Sequence, residues 1–109
     1  MDQEVERRIA ANQARFRQVN EAIARGQWPG EGADAVGFRC ECALLGCNRL
    51  IELTPPEYER VRTHPRRFVV LPGHERDTVE TVIEKRSDYF VVEKTDEAGQ
   101  LADATDPRG

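Results

Sequence analysis

The chain lacks any long apolar run; no stretch approaches the roughly 20 apolar residues that a membrane-crossing helix needs. Its opening, Met1-Asp2-Gln3-Glu4, is acidic and polar, unlike the basic and apolar start of a secretory leader. It has no excess of positive charge either. Sixteen basic residues face 20 acidic ones, for a formal net charge of −4, whereas a nucleic-acid-coating domain is usually basic. Aromatic residues are only 6% of the chain, which leaves few surfaces for stacking bases. Signatures of catalysis are missing: there is no H-x-E…P-C-x-x-C, no H-E-x-x-H, no G-x-S-x-G and no Gly-rich phosphate loop. No internal repeat is present. Cysteine is limited to three residues, all within eight positions. An odd, clustered set speaks against a disulfide framework and for a reducing, cytoplasmic setting.

What the chain does have is concentrated in Cys40-Glu41-Cys42-Ala43-Leu44-Leu45-Gly46-Cys47, with His74 downstream in Leu71-Pro72-Gly73-His74-Glu75. Three thiols and a loop histidine supply the four soft or borderline donors of a tetrahedral zinc site. The spacing C-x-C-x4-C is only a partial match to the commoner C-x2-C signatures. Gly46 suits a turn that wraps the backbone around a metal, where a positive φ is often needed. The competing reading is three reduced cysteines packed as small hydrophobes; Glu41 and Gly46 between them argue against a plain apolar strand. Cys40, Cys42, Cys47 and His74 are therefore the expected ligands. His64 precedes Pro65 at a helix end, a place that also suits a capping role, and is the less favoured histidine. Glu75 or a water are the other candidates for the fourth position. A ligating His74 would need an acceptor for its free ring nitrogen, and Glu41, Glu75 and backbone carbonyls all qualify.

Around this stretch the sequence predicts an α+β fold stapled by zinc: a long N-terminal helix, then a small, mainly antiparallel sheet with one short helix. The helix covers residues 2–25. Val5, Ile9, Asn12, Phe16, Val19 and Ile23 recur at alternating spacings of four and three, a heptad seam. Such a helix can dock on its own domain, self-associate or take an outside partner. Residues 26–37, with four glycines and a proline, read as a linker in which Trp28 packs as an anchor. The zinc-binding domain spans 38–95. Val36 to Phe38 and Arg49 to Leu53 flank the cysteines as a hairpin would. Thr54-Pro55-Pro56-Glu57 is a helix start with Thr as cap, Pro at the first turn and Glu three residues on, and the helix runs to Thr63. Phe68 to Leu71 is a strand buried on both faces. Val79 to Lys85 and Tyr89 to Lys94 read as two more strands, although 75–85 also fits helical spacing. Residues 96–109 form an acidic tail, with a frayed turn around Leu101 or no order at all. A domain of this size buries only about 60–68% of its unfolded surface, so a structural metal would help it fold.

The cysteine segment Cys40-Glu41-Cys42…Cys47-Asn48-Arg49 resembles the post-SET zinc knuckle of lysine methyltransferases. No SET core precedes it, so the likeness implies a knuckle and not methyl transfer. A longer succession resembles a group of small, uncharacterised actinobacterial proteins. It comprises Phe16 to Glu21, the knuckle, Ile51-Glu52-Leu53-Thr54, Glu57-Tyr58, Phe68-Val69-Val70, Pro72-Gly73-His74-Glu75 and Val91-Val92-Glu93-Lys94. That resemblance implies a free-standing bacterial module and no particular activity.

The function expected from these features is a zinc-binding, non-catalytic binding or regulatory module, with a protein partner or a second copy engaged through the N-terminal helix. Two alternatives stand beside it. Arg60, Arg62, Arg66 and Arg67, with Lys85 and Arg86, could touch phosphates in a zinc-dependent nucleic-acid regulator, although Glu57 and Glu59 interleave with them as on an ordinary solvated face. Zinc thiolates could also serve as a redox or zinc sensor.

Overall fold

The computed structural model describes residues 3–26, 35–44, 46–76 and 78–107. Trp28 and most of the expected linker lie outside them. The described elements are α1 (Gln3–Arg25), β1 (Val36–Arg39), β2 (Leu50–Leu53), α2 (Pro55–Arg62), β3 (Arg67–Val70), β4 (Glu80–Lys85), β5 (Phe90–Lys94) and α3 (Asp96–Ala104). This is the α+β layout the sequence predicts. Among the described residues no helix is long and apolar enough to cross a membrane.

α1 carries Glu4 and Glu6 in its first turn and Arg25 in its last, which matches the helix dipole at both ends. It closes on Gly26, whose N–H reaches the Ala22 and Ile23 carbonyls at 3.0 and 3.2 Å. The helix lies on its own domain, but not along the expected seam. Val19 is 38% exposed, and Val5, Asn12 and Phe16 are only half-buried. The buried side is Ile9, Gln13, Arg17, Asn20 and Glu21, roughly a quarter turn round the helix at about 100° per residue. Ile9 is common to both faces, and Ile23 of the seam packs partly buried against the core. The reason is polar. Arg17 donates to the Arg67 carbonyl at 2.8 Å and also to that of Pro65, and its guanidinium carbon sits 3.7 Å from the Phe68 ring centroid. Buried hydrogen bonds and a cation–π contact set the rotation of α1, with little help from apolar periodicity.

The strands fall into two antiparallel sheets. β1 and β2 form a hairpin with Val36 opposite Leu53 and Arg39 opposite Leu50, so the supposed end of the linker is already strand. β3, β5 and β4 form the second sheet in that spatial order. β5 is its centre, and Val91 and Val92 are buried on opposite faces, as alternation along a strand requires. Residues 80–85 are strand and not helix because β5 supplies a paired backbone, from Glu80 opposite Lys94 to Lys85 opposite Phe90. The register slips between Val82 and Glu84, marking a β-bulge. At the junction of the sheets, the Glu41 N–H donates to the Val69 carbonyl at 2.8 Å.

α2 begins as predicted. Thr54 Oγ1 accepts from the Glu57 N–H at 3.2 Å, and Glu57 Oε1 accepts from the Thr54 N–H at 2.7 Å. This reciprocal box satisfies two otherwise orphaned donors. Tyr58 and Val61 turn into the core, where Tyr58 stacks on Phe38 with centroids 4.6 Å apart. The C-terminal segment is more ordered than a frayed turn around Leu101. α3 buries Ala102, and Asp103 pairs with Arg66 at 2.9 Å. Just beyond α3, Asp106 pairs with the fully buried Arg62, which also holds Glu21 of α1 at 2.8 Å.

Candidate metal centre

Cys40 leaves β1 with its N–H bonded to the Arg49 carbonyl at 3.0 Å, so the hairpin holds both ends of the cysteine loop. Within the loop Gly46 has φ +88, the left-handed turn expected there, and the Cys47 N–H returns to the Leu44 carbonyl at 3.2 Å. A Cβ at Gly46 would meet nothing within 4 Å; backbone conformation alone requires the glycine. The fourth donor arrives from the other sheet. β3 ends at Val70, Pro72 and Gly73 (φ +92) reverse the chain, and the His74 N–H closes the turn on the Leu71 carbonyl at 2.9 Å.

These two turns meet. Sγ of Cys40, Cys42 and Cys47 and a ring nitrogen of His74 all lie within 4.8 Å of one another. His74 Nδ1 is 3.6 Å from Cys40 Sγ and 3.8 Å from Cys47 Sγ. A tetrahedral ion with metal–sulfur bonds near 2.3 Å and a metal–nitrogen bond near 2.0 Å sets its sulfur and nitrogen ligands about 3.5 Å apart. The observed separations of 3.6 and 3.8 Å are close to that value. Among the described residues this is the one group of three or more His, Cys, Asp or Glu side chains spaced to hold a metal ion. The cysteines form no disulfide.

The local field favours a cation. The Cys42 thiol is pulled down to about 5, first by the hydrogen bond from Cys40 and then by donors that include His74, the Leu44 amide and Cys47. Cys40 is pushed up by the same shared bond and by burial. Metal binding needs deprotonated thiolates, so it is coupled to proton release. The Leu71 N–H donates to Cys40 Sγ at 3.2 Å, a bond that supports a coordinating thiolate.

The sequence candidates separate cleanly. His74 joins the cysteines; His64 is exposed and stands outside the cluster. Glu75 is turned back onto the Gly73 N–H at 2.8 Å. Glu41 is not the acceptor for His74. It is fully buried, and its carboxyl group accepts from Asn20 Nδ2 at 2.8 Å, the Tyr58 hydroxyl at 2.6 Å and the Val69 N–H at 3.1 Å. Sequence reasoning did not find Gln13 and Asn20, which bond to the knuckle. Their only sequence signal is a polar residue on each turn of one α1 face, which ordinarily reads as solvated surface.

The arginines of the basic cluster are ion-paired within the chain. Arg60 pairs with Glu84 at 3.2 Å, Arg62 with Glu21 and Asp106, Arg66 with Asp103, Arg67 with Glu93 at 2.9 Å, and Arg86 with Glu84. These partners come from α1, β4, β5 and the C-terminal segment.

Comparison with protein-family profiles, with curated proteins and with solved structures yields no match, so the functional reading stands on this geometry.

Proposed function

We propose that this chain is a small zinc-binding domain whose metal is structural, and that it works as a non-catalytic binding or regulatory module. The observation that carries the reading is the convergence of Cys40, Cys42, Cys47 and His74 Nδ1. Four protein donors would complete a tetrahedron around zinc and leave no position for a water or substrate, the pattern of structural sites. Three thiolates and an imidazole favour zinc over the hard cations magnesium and calcium. The free thiols fit a reducing cytoplasm. A protein partner or a second copy would use the outer flank of α1, where Val19 is exposed and Val5 and Phe16 are half-buried. Ion pairing of the arginines disfavours nucleic acid as the partner.

Elemental analysis of protein purified without chelator is the test, and about one zinc per chain is expected for a single four-ligand site. A stoichiometry near zero, or unchanged zinc in Cys42→Ala, would overturn the assignment. One observation favours a sensing role as the second reading: Cys47 is half-buried where Cys40 and Cys42 are buried, which makes it the most exposed of the three cysteines, and oxidation follows exposure. Reversible zinc release under mild peroxide would promote that reading; irreversible loss with aggregation would remove it.

A further inference from the structure

The face by which α1 docks is polar, and much of what it grips is the knuckle itself. Gln13 Nε2 donates to the Glu41 carbonyl at 3.0 Å. Asn20 Nδ2 donates to the Arg39 carbonyl at 3.0 Å and to Glu41 Oε2 at 2.8 Å, and Asn20 Oδ1 accepts from the Arg39 N–H at 2.7 Å. Gln13 and Asn20 are 3% and 0% exposed. All four bonds end on residues 39–41, the segment that contains Cys40 and runs directly into Cys42. Glu41 sits between these two cysteines and is itself fully buried.

Hydrogen bonds of this kind depend on geometry. Paired, each contributes modestly; unpaired and buried, each donor or acceptor costs about 1–3 kcal/mol. Apolar burial does little to compensate on this face, since Ile9 is the one fully apolar residue of α1 in the buried core set and is joined only by the partly buried Ile23 and Ala24. A metal bound through Cys40 and Cys42 fixes the Glu41 carbonyl and carboxyl between them. Without a metal that constraint is absent, and the bonds of Gln13 and Asn20 rest on the knuckle's own fold alone. The anchors that remain are Arg17 on the Pro65 and Arg67 carbonyls, Glu21 on Arg62 and Glu6 on Arg76. They hold α1 at other points and do not replace the knuckle contacts.

We propose that metal binding and α1 docking are coupled through Glu41, so that an occupied site strengthens the docked helix and metal release loosens it. This rests on the reading of the four donors as a metal site. Coupling of this kind is reciprocal: whatever factor the metal adds to docking, docking adds to metal affinity.

Two measurements on the full chain test it. Zinc affinity is measured by competition with a chromophoric chelator for the native chain, Asn20→Ala and Gln13→Ala, none of which alters a ligand. Both variants are expected to bind zinc at least about fivefold more weakly, the lower end of typical coupling. Amide exchange is then followed with zinc and after its removal. Protection in α1 should fall while the β3–β5–β4 amides remain slow. Zinc bound with equal affinity by all three chains, or α1 protection unchanged on zinc removal, would overturn the coupling while leaving the metal site intact. Uniform loss of protection throughout the chain would also overturn it, since that is global unfolding. No zinc bound to the native chain would instead sink the metal assignment itself.

Discussion

The Tyr58 hydroxyl donates to Glu41 Oε2 at 2.6 Å, joining the short helix α2 to the residue between two metal ligands. Burial and the adjacent Glu41 push the Tyr58 hydroxyl well above its ordinary range, so it stays protonated and remains a donor. Tyr58→Phe keeps the stack on Phe38 and deletes that one bond. The expected cost is about 1–3 kcal/mol, as for a buried acceptor that loses a partner, read as a lower Tm in thermal melts. An unchanged Tm would show that water or another donor replaces the hydroxyl.

The two histidines should behave oppositely. His74→Ala removes a donor and should weaken zinc binding by more than about 100-fold, beyond the effect of losing an outer hydrogen-bond partner. His64→Ala alters an exposed side chain outside the cluster and should leave zinc affinity unchanged. Competition with a chelator of known affinity ranks the pair. A reversed order would reassign the fourth ligand.

Thermal stability should follow free zinc. A metal that binds only the folded chain adds RT ln(1 + [Zn]/Kd) to its stability, so Tm should rise steadily with buffered zinc and fall on chelation. A Tm indifferent to zinc over several decades of free concentration would make the site peripheral to the fold.

The α2 capping box gives a pH signature. The Thr54 amide, first among several hydrogen bonds, holds the Glu57 carboxyl below its usual 4.5. Its ionised form is thus favoured in the folded state, and the stability this adds is present above the unfolded value and lost as pH falls through the folded one. Glu57→Gln retains an acceptor for the Thr54 amide but cannot titrate. Any advantage of the native carboxylate over the variant's amide should therefore be constant near neutrality and shrink below about pH 4.5. Melts of metal-free samples of both chains read it; a gap that widens in acid would contradict the assignment.

Nucleic acid should bind only weakly. Arg60, Arg62, Arg66 and Arg67 are all committed to carboxylates, and freeing them for phosphate would break those pairs. No sequence-dependent complex with DNA or RNA is expected at about 150 mM salt. Such a complex, abolished by replacing Arg66 and Arg67, would establish the nucleic-acid reading instead.

Much of the site was legible because its chemistry is local. Three cysteines in eight positions and a Pro-Gly turn before His74 name their own purpose, and Thr54 to Glu57 spell a helix start. What stayed hidden depends on distant partners. Gln13, Arg17 and Asn20 are polar residues on a helix, and their burial follows from carbonyls and a carboxyl group 19 to 50 positions away. Hydrophobic periodicity cannot register a face held by hydrogen bonds, so the apolar seam pointed to the wrong side of α1. α3 was obscured for a similar reason. Its sequence is short of aliphatic residues, and its anchors are Arg66 and, through Asp106, Arg62, both from the preceding half of the domain.

The irregularity between Val82 and Glu84 has a bearing on how the chain behaves in a crowd. Among the described residues β4 pairs only with β5, which leaves its other side as a template onto which a neighbouring molecule's strand could add. The extra residue bends that side and interrupts the repeat that an incoming strand would have to match. Glu84 and Lys85 add charge beside it, leaving Ile83, 40% exposed, as the weak point of the rim. A variant that straightens this stretch, by deleting Ile83, would leave that edge more open to the addition of a neighbouring molecule's strand.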